Sequence, residues 1–172
     1  MKRLLVYGVI LLQIVIISGI AWQDTLIDEY GQSIQLLQDQ QDPLKYNSLF
    51  EFGSMRMEYE INTIPHEKWD ISEEIHYQEV IHVLLEENEN GYYEVIKAAN
   101  DKVEPSSDQI VLQAKYNYTD SITDNHRVQY GFEEIHGEVD EYQHLDSGKQ
   151  WVVTVKVAPW NQNKVVAIEN KE

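Results

Sequence analysis

Nineteen consecutive residues, Leu4 to Trp22 (LLVYGVILLQIVIISGIAW), carry no charge. An apolar run of that length limits what the chain can become more than any other feature does. A helix rises about 1.5 Å per residue, so the run spans ~28 Å, close to the hydrocarbon thickness of a bilayer. Lys2 and Arg3 stand directly before it, and basic residues flanking a span stay on the cytoplasmic side. Tyr7 and Trp22, near its ends, suit the membrane interfaces. Gly19 and Ala21 also offer small residues before a cut at Trp22, as in a cleaved signal. The run, however, exceeds the ~7–15 residues of a signal core, and no polar helix-breaking segment precedes the cut. A retained anchor is the favoured reading.

The sequence thus predicts a cytoplasmic segment 1–3, a transmembrane helix 4–22, a stalk 23–32, an extracytoplasmic β-rich domain 33–169 and a frayed tail 170–172. About 150 residues outside the membrane are enough for one ordinary domain with its own core. Because Lys2 and Arg3 are the only charges before residue 23, 11 of the 13 basic and all 30 acidic residues follow, a formal charge of −19. Such a surface repels nucleic acid and anionic lipid headgroups, and it keeps a tethered domain soluble. The chain has no cysteine, which removes disulfides, thiol catalysis, thiolate metal sites and lipid attachment through an N-terminal cysteine. Asn117-Tyr118-Thr119 matches a glycosylation sequon, relevant only in a eukaryotic secretory route.

Past the membrane, Trp22, Leu26 and Tyr30 recur at helical spacing, so the helix should continue until Gly31 stops it. Ile34 and Leu36 mark a short strand, and residues 38–43 a loop. Met55, Met57, Tyr59 and Ile61 alternate with Arg56, Glu58, Glu60 and Asn62, a strand with one wet face. A strand over Ile75–Glu86 and a return over Tyr92–Ala98 flank Asn90-Gly91, a hairpin signal. Gln109–Tyr118 alternates again, and Val128, Tyr130 and Phe132 give another short strand. Phe132, Ile135, Val139 and Tyr142 then fall at spacings of three, four and three, which reads as a short amphipathic helix. Trp151–Val157 and Val165–Ile168, joined through Pro159–Asn163, close the chain as a hairpin. The expected fold class is α+β, mostly β: a transmembrane helix, then one antiparallel β-rich domain with a short amphipathic helix.

Catalytic motifs are scarce. The six histidines show no HxH or HExxH spacing; His76 and His82, six apart on one predicted strand, would stand ~20 Å apart. Scattered surface histidines, and no metal or cofactor, are the expectation. Glu86–Asn90 is acidic but lacks the positions of a calcium loop and reads as a hairpin tip. Glu133-Glu134 and Asp140-Glu141 supply carboxylates that a glycoside-cleaving pair would need, without any sign of the burial that raises a carboxyl pKa. No nucleophile elbow, phosphate loop or dinucleotide fingerprint occurs. Tyrosine is abundant, with 11 copies, and Tyr59, Tyr77, Tyr93, Tyr116 and Tyr130 fall on predicted strands, where half-buried rings pack well.

The stretch Asp42-Pro43 followed by Leu49-Phe50-Glu51-Phe52-Gly53-Ser54-Met55-Arg56-Met57-Glu58-Tyr59-Glu60-Ile61 resembles the signature region of the GDYXXLXY family. Leu49, Phe50, Arg56, Met57, Tyr59, Glu60 and Ile61 fall in register, whereas Phe52, Gly53 and Ser54 replace the namesake triplet, which is absent here. Tyr130-Gly131 followed by Glu133 is similar to the family's YG-x-E segment, and the Trp151–Ile168 hairpin to its usual ending. The resemblance implies a bacterial, membrane-anchored domain whose relatives are often encoded beside a multi-pass membrane protein; it transfers no catalytic residue.

The residues above favour a single-pass, extracytoplasmic interaction module that works with another membrane or envelope protein. Its candidate binding residues are Arg56, Tyr59, Tyr130, Glu133 and Glu134. Two other classes stay open: a tethered hydrolase of envelope polymer using acidic residues, and an acidic cation-binding domain. Whether Tyr59, Tyr130 and the Glu133 region meet in one concavity is the structural question that matters most.

Overall fold

A computed structural model describes residues 2–40, 54–136 and 149–171. Helix α1 covers Lys2–Tyr30 without a break. Over Tyr7–Tyr30 it is long and apolar enough to cross a membrane, and only 6% of its most apolar window is buried against the rest of the chain. Gly31 ends it: its N–H donates to the Ile27 carbonyl at 2.9 Å, and an added Cβ would overlap that same oxygen. A residue without a side chain is therefore required where the helix turns into the first strand.

Among the described residues ten strands follow: β1 (Gln32–Leu37), β2 (Ser54–Arg56), β3 (Thr63–Ile64), β4 (Val80–Glu87), β5 (Tyr93–Ala99), β6 (Gln109–Thr119), β7 (His126–Gln129), β8 (Glu134–His136), β9 (Trp151–Val157) and β10 (Asn163–Asn170). They form three antiparallel sheets, in the orders β1-β9-β10, β2-β8 and β3-β7-β6-β4-β5. The chain is mostly β, as its alternating patterns predict. Ile81, Val83 and Leu85 on β4 and Trp151, Val153 and Val155 on β9 are almost fully buried. Together with Ile34, Leu36, Tyr59, Leu112, Tyr130 and Ile135 they belong to one apolar cluster drawing on all three sheets. The β4–β5 hairpin turns at Asn88–Gly91, where the Asn88 side-chain oxygen accepts the N–H groups of Asn90 and Tyr92 and Gly91 takes a φ of 85°.

The helix is fixed to the first sheet. Ile27 is 3% exposed, while Trp22, Leu26 and Tyr30 face outward. Lys156 on β9 donates to the Asp28 carbonyl at 2.6 Å, and Lys164 on β10 to its carboxylate at 2.9 Å. The Lys164 hydrogen bond holds the Asp28 carboxyl below its ordinary pKa, and Asp28 in turn raises Lys164.

Four expectations need correction. The strand expected over Met55–Ile61 ends at Arg56, and the chain coils into a single 3₁₀ turn at Glu60–Asn62, which buries Asn62 instead of leaving it on a wet face. The strand expected from Ile75 starts only at Val80; Gln78 takes a φ of 66°, and Tyr77 is exposed rather than aligned with Ile81. Within the helix expected over Phe132–Tyr142, residues 134–136 form β8, paired with β2. The Glu133 carbonyl accepts the Met57 N–H at 2.7 Å, so it bonds across the sheet instead of along a helix. Val139, Asp140, Glu141, Tyr142 and His144 lie outside the described residues, as do the Asp42-Pro43 loop and Leu49–Gly53. Finally, His126 is buried rather than a surface histidine.

Candidate functional site

Two segments far apart in sequence, 57–62 and 130–133, meet within the apolar cluster. Gly131 adopts a φ of 95°, a left-handed conformation that glycine takes without a Cβ penalty. That turn folds the Glu133 side chain back over its own backbone. One carboxylate oxygen accepts the Tyr130 N–H at 2.5 Å and the Asn62 side-chain amide at 2.8 Å, and the other accepts the Gly131 N–H at 2.7 Å. Glu133 is 2% exposed, so the charge is buried but has three donors. A buried charge survives only with such partners.

Asn62 is the other hinge of the arrangement. Its amide also donates to the Val128 carbonyl at 2.9 Å, and its oxygen accepts the Tyr59 N–H at 2.7 Å. The two tyrosines then exchange bonds between the segments. Tyr59 donates its hydroxyl to the Phe132 carbonyl at 3.2 Å, and Tyr130 donates to the Ile61 carbonyl at 2.9 Å. Their rings lie 5.3 and 5.6 Å from that of Phe132. Burial, and then the Glu133 charge, push both phenol pKa values far above 10, which keeps the hydroxyls protonated as donors.

Beside this clasp opens a cleft of about 370 Å³ whose walls include Arg56, Glu58, Asn117, Tyr118, Arg127 and Gln129, with Asn62 and Glu133 at its base. Arg127 lies 3.4 Å from Asp39 and 3.5 Å from Glu58. Arg56 is exposed and makes no ion pair among the described residues. Tyr118 is 55% exposed at the rim. The lining mixes polar and apolar surface and carries both signs of charge, so a partner group there would meet hydrogen-bonding and charged side chains beside the Tyr118 ring.

The structure thus brings together Tyr59, Tyr130 and Glu133, buries all three, and leaves Arg56 on the wall of the adjoining cleft. Glu134 is exposed on β8. The residues that complete the arrangement, Asn62 and Arg127, carry no signal in the sequence. Asn62 sits in an alternating run, and Arg127 is the second residue of a strand of only four. A second cluster was equally hidden: Trp69 stacks on His126 at 3.9 Å between centroids, and the His66 Nδ1 lies 3.4 Å from the His126 Nε2. Thr119 bonds the His126 Nδ1 at 2.9 Å and the Tyr116 hydroxyl at 2.8 Å. Among the described residues no group of three or more histidines and carboxylates is arranged to hold a metal ion.

Neither a curated protein nor a solved structure matches this chain. A family model described as GDYXXLXY protein matches residues 13–168, which take in the C-terminal part of α1, strands of all three sheets, and both halves of the Tyr59–Glu133 clasp. On that match the chain belongs to the GDYXXLXY family.

Proposed function

We propose that this protein is a single-pass membrane-anchored module, with residues 1–3 in the cytoplasm and the sheets outside it, that acts by contact with another membrane or envelope component. The supporting observation is the joint between α1 and the first sheet. The helix continues past Trp22 to Tyr30 and is held by Ile27, Gly31 and Asp28. Those last eight residues rise only ~12 Å, so the sheets stand close to the bilayer surface in a fixed orientation. A flexible linker would serve a tethered enzyme that searches for substrate; a rigid, short stalk suits a module that meets a neighbour at one height. The buried polar groups agree with this reading, since Glu133, Asn62, Tyr59 and Tyr130 are occupied in holding two segments together. The partner-facing surface is then the cleft wall around Arg56, Tyr118 and Arg127. Crosslinking from Tyr118 in native membranes should capture one membrane or envelope protein repeatedly, and Arg56→Glu should abolish the capture. Capture that is unchanged by Arg56→Glu, or that never selects one protein, refutes the assignment.

A further inference from the structure

The apolar helix contains one polar side chain at its centre. Gln13 lies nine residues from both Leu4 and Trp22, so ~13 Å from each end of the span. Its side chain is too short to reach either interface. The backbone of the surrounding helix is saturated by its own i→i−4 bonds, so the amide finds no partner within α1. An amide at that depth with nothing to bond is unfavourable, and polar groups there mark helix contacts.

The residues on either side of Gln13 on its face of the helix share one shape. At about 100° per residue, Val9, Ile10, Ile16 and Ile17 fall within ~60° of Gln13, whereas Leu11 and Val15 lie ~160° away. The near face is wholly β-branched, with side chains fixed at χ1 that lose little freedom on packing. All four are uncovered by the rest of the chain, with exposures from 46% to 66%. Ile10, Gln13 and Ile17 follow the three-four spacing of a helix-packing seam.

The same face identifies the occupant. Ile27, fourteen residues on, returns to within ~40° of Gln13, and Ile27 is the residue buried against the first sheet. The sheets therefore overhang the Gln13 side of the helix. A parallel second copy packed there would bring its own sheets, and another formal −19, into the same space. A helix with only a short outer connection fits beneath the overhang. We infer that the Gln13 face packs against a transmembrane helix of a different membrane protein, which presents a hydrogen-bonding side chain at the bilayer midplane. This rests on the membrane-anchored reading above.

The test places a benzophenone side chain singly at Ile10, Ile17, Leu11 and Val15 of the full-length protein in its native membranes. Ile10 and Ile17 should give one adduct heavier than the chain and different from a pair of copies. Its partner peptide should come from a transmembrane segment with a central polar residue. Gln13→Leu should lower that yield about tenfold, the scale of one interhelical polar contact, while Gln13→Asn retains most of it. Equal yields from all four positions, a two-copy adduct, a partner peptide from outside the membrane, or indifference to Gln13→Leu would each overturn the inference. An alkaline wash separates the two levels: a chain released from the membrane sinks the anchor reading itself. A chain retained without the face pattern sinks only the Gln13 contact.

Discussion

Glu133 offers the sharpest perturbation of the clasp. Replacing it with alanine leaves the Tyr130 N–H, the Gly131 N–H and one proton of the Asn62 amide without their acceptor. Each stranded buried donor costs about 1–3 kcal/mol. The cleft next to the site admits water, which can replace part of what is lost. The sum should therefore sit toward the lower end, ~3–5 kcal/mol, against a total stability of roughly 5–15 kcal/mol for a domain. Glu133→Gln keeps the shape and one accepting oxygen but turns an NH₂ toward a backbone N–H, so about half that loss is expected. The assay is urea unfolding of the full chain in detergent micelles, followed by near-ultraviolet circular dichroism, which reports the buried rings of Tyr59, Tyr130 and Trp151. The midpoints should fall in the order wild type, Gln, Ala. Glu134→Ala, on the exposed neighbour, should stay within about 0.5 kcal/mol of wild type. If Glu133→Ala unfolds with Glu134→Ala, the carboxylate does not hold the two segments together.

Other predictions follow from the same geometry. Tyr59→Phe and Tyr130→Phe should each cost ~0.5–1.5 kcal/mol, and a double-mutant cycle should show coupling, because both hydroxyls tie the same two segments. Independent effects would mean that the bonds act separately. Burial, and then the neighbouring His66, hold the His126 pKa below 6.5. The folded state thus binds fewer protons there than the unfolded one, so the stability it contributes is present above pH ~6.5 and is lost as pH falls below that value. Urea midpoints measured from pH ~7.5 to ~5.5 should fall, and His126→Asn should flatten that slope; an unchanged slope would contradict the assignment. Gly31→Ala forces a methyl group onto the Ile27 carbonyl and should cost ~1–3 kcal/mol at the joint, seen as faster proteolysis near residue 31. Wild-type resistance there would show that the joint adapts.

The sequence reveals the repetitive parts of this fold better than the irregular ones. β4, β5, β6, β9 and β10 follow from period-two alternation, and their hairpin turns from Asn90-Gly91 and Pro159–Asn163, because one buried face imposes that pattern. Helix α1 and its stop at Gly31 follow from an apolar run and a glycine. The clasp is different in kind. Nothing local distinguishes Asn62 from its polar neighbours; its burial depends on Val128 and Glu133, more than 60 residues away. The spacing of three between Phe132 and Ile135 suggests a helix, yet each is buried in its own setting: Phe132 against Tyr59 and Tyr130, Ile135 on β8 within the apolar cluster. Tertiary partners override the local period there. The resemblance located Tyr59, Tyr130 and Glu133 as a set, and the structure supplies the physical link among them. Exposed binding groups and a buried clasp read alike until burial is known.

The most direct measurement exploits the absence of cysteine. Ile122, 93% exposed at the tip of the turn between β6 and β7, can be replaced by a single cysteine. A membrane-impermeant maleimide is then applied to cells stripped of their outer layers, before and after lysis. An anchored protein with its sheets outside the cytoplasm predicts full labelling before lysis, on a chain that stays with the membrane pellet. Labelling only after lysis, or recovery of the chain in the soluble fraction, would contradict the account.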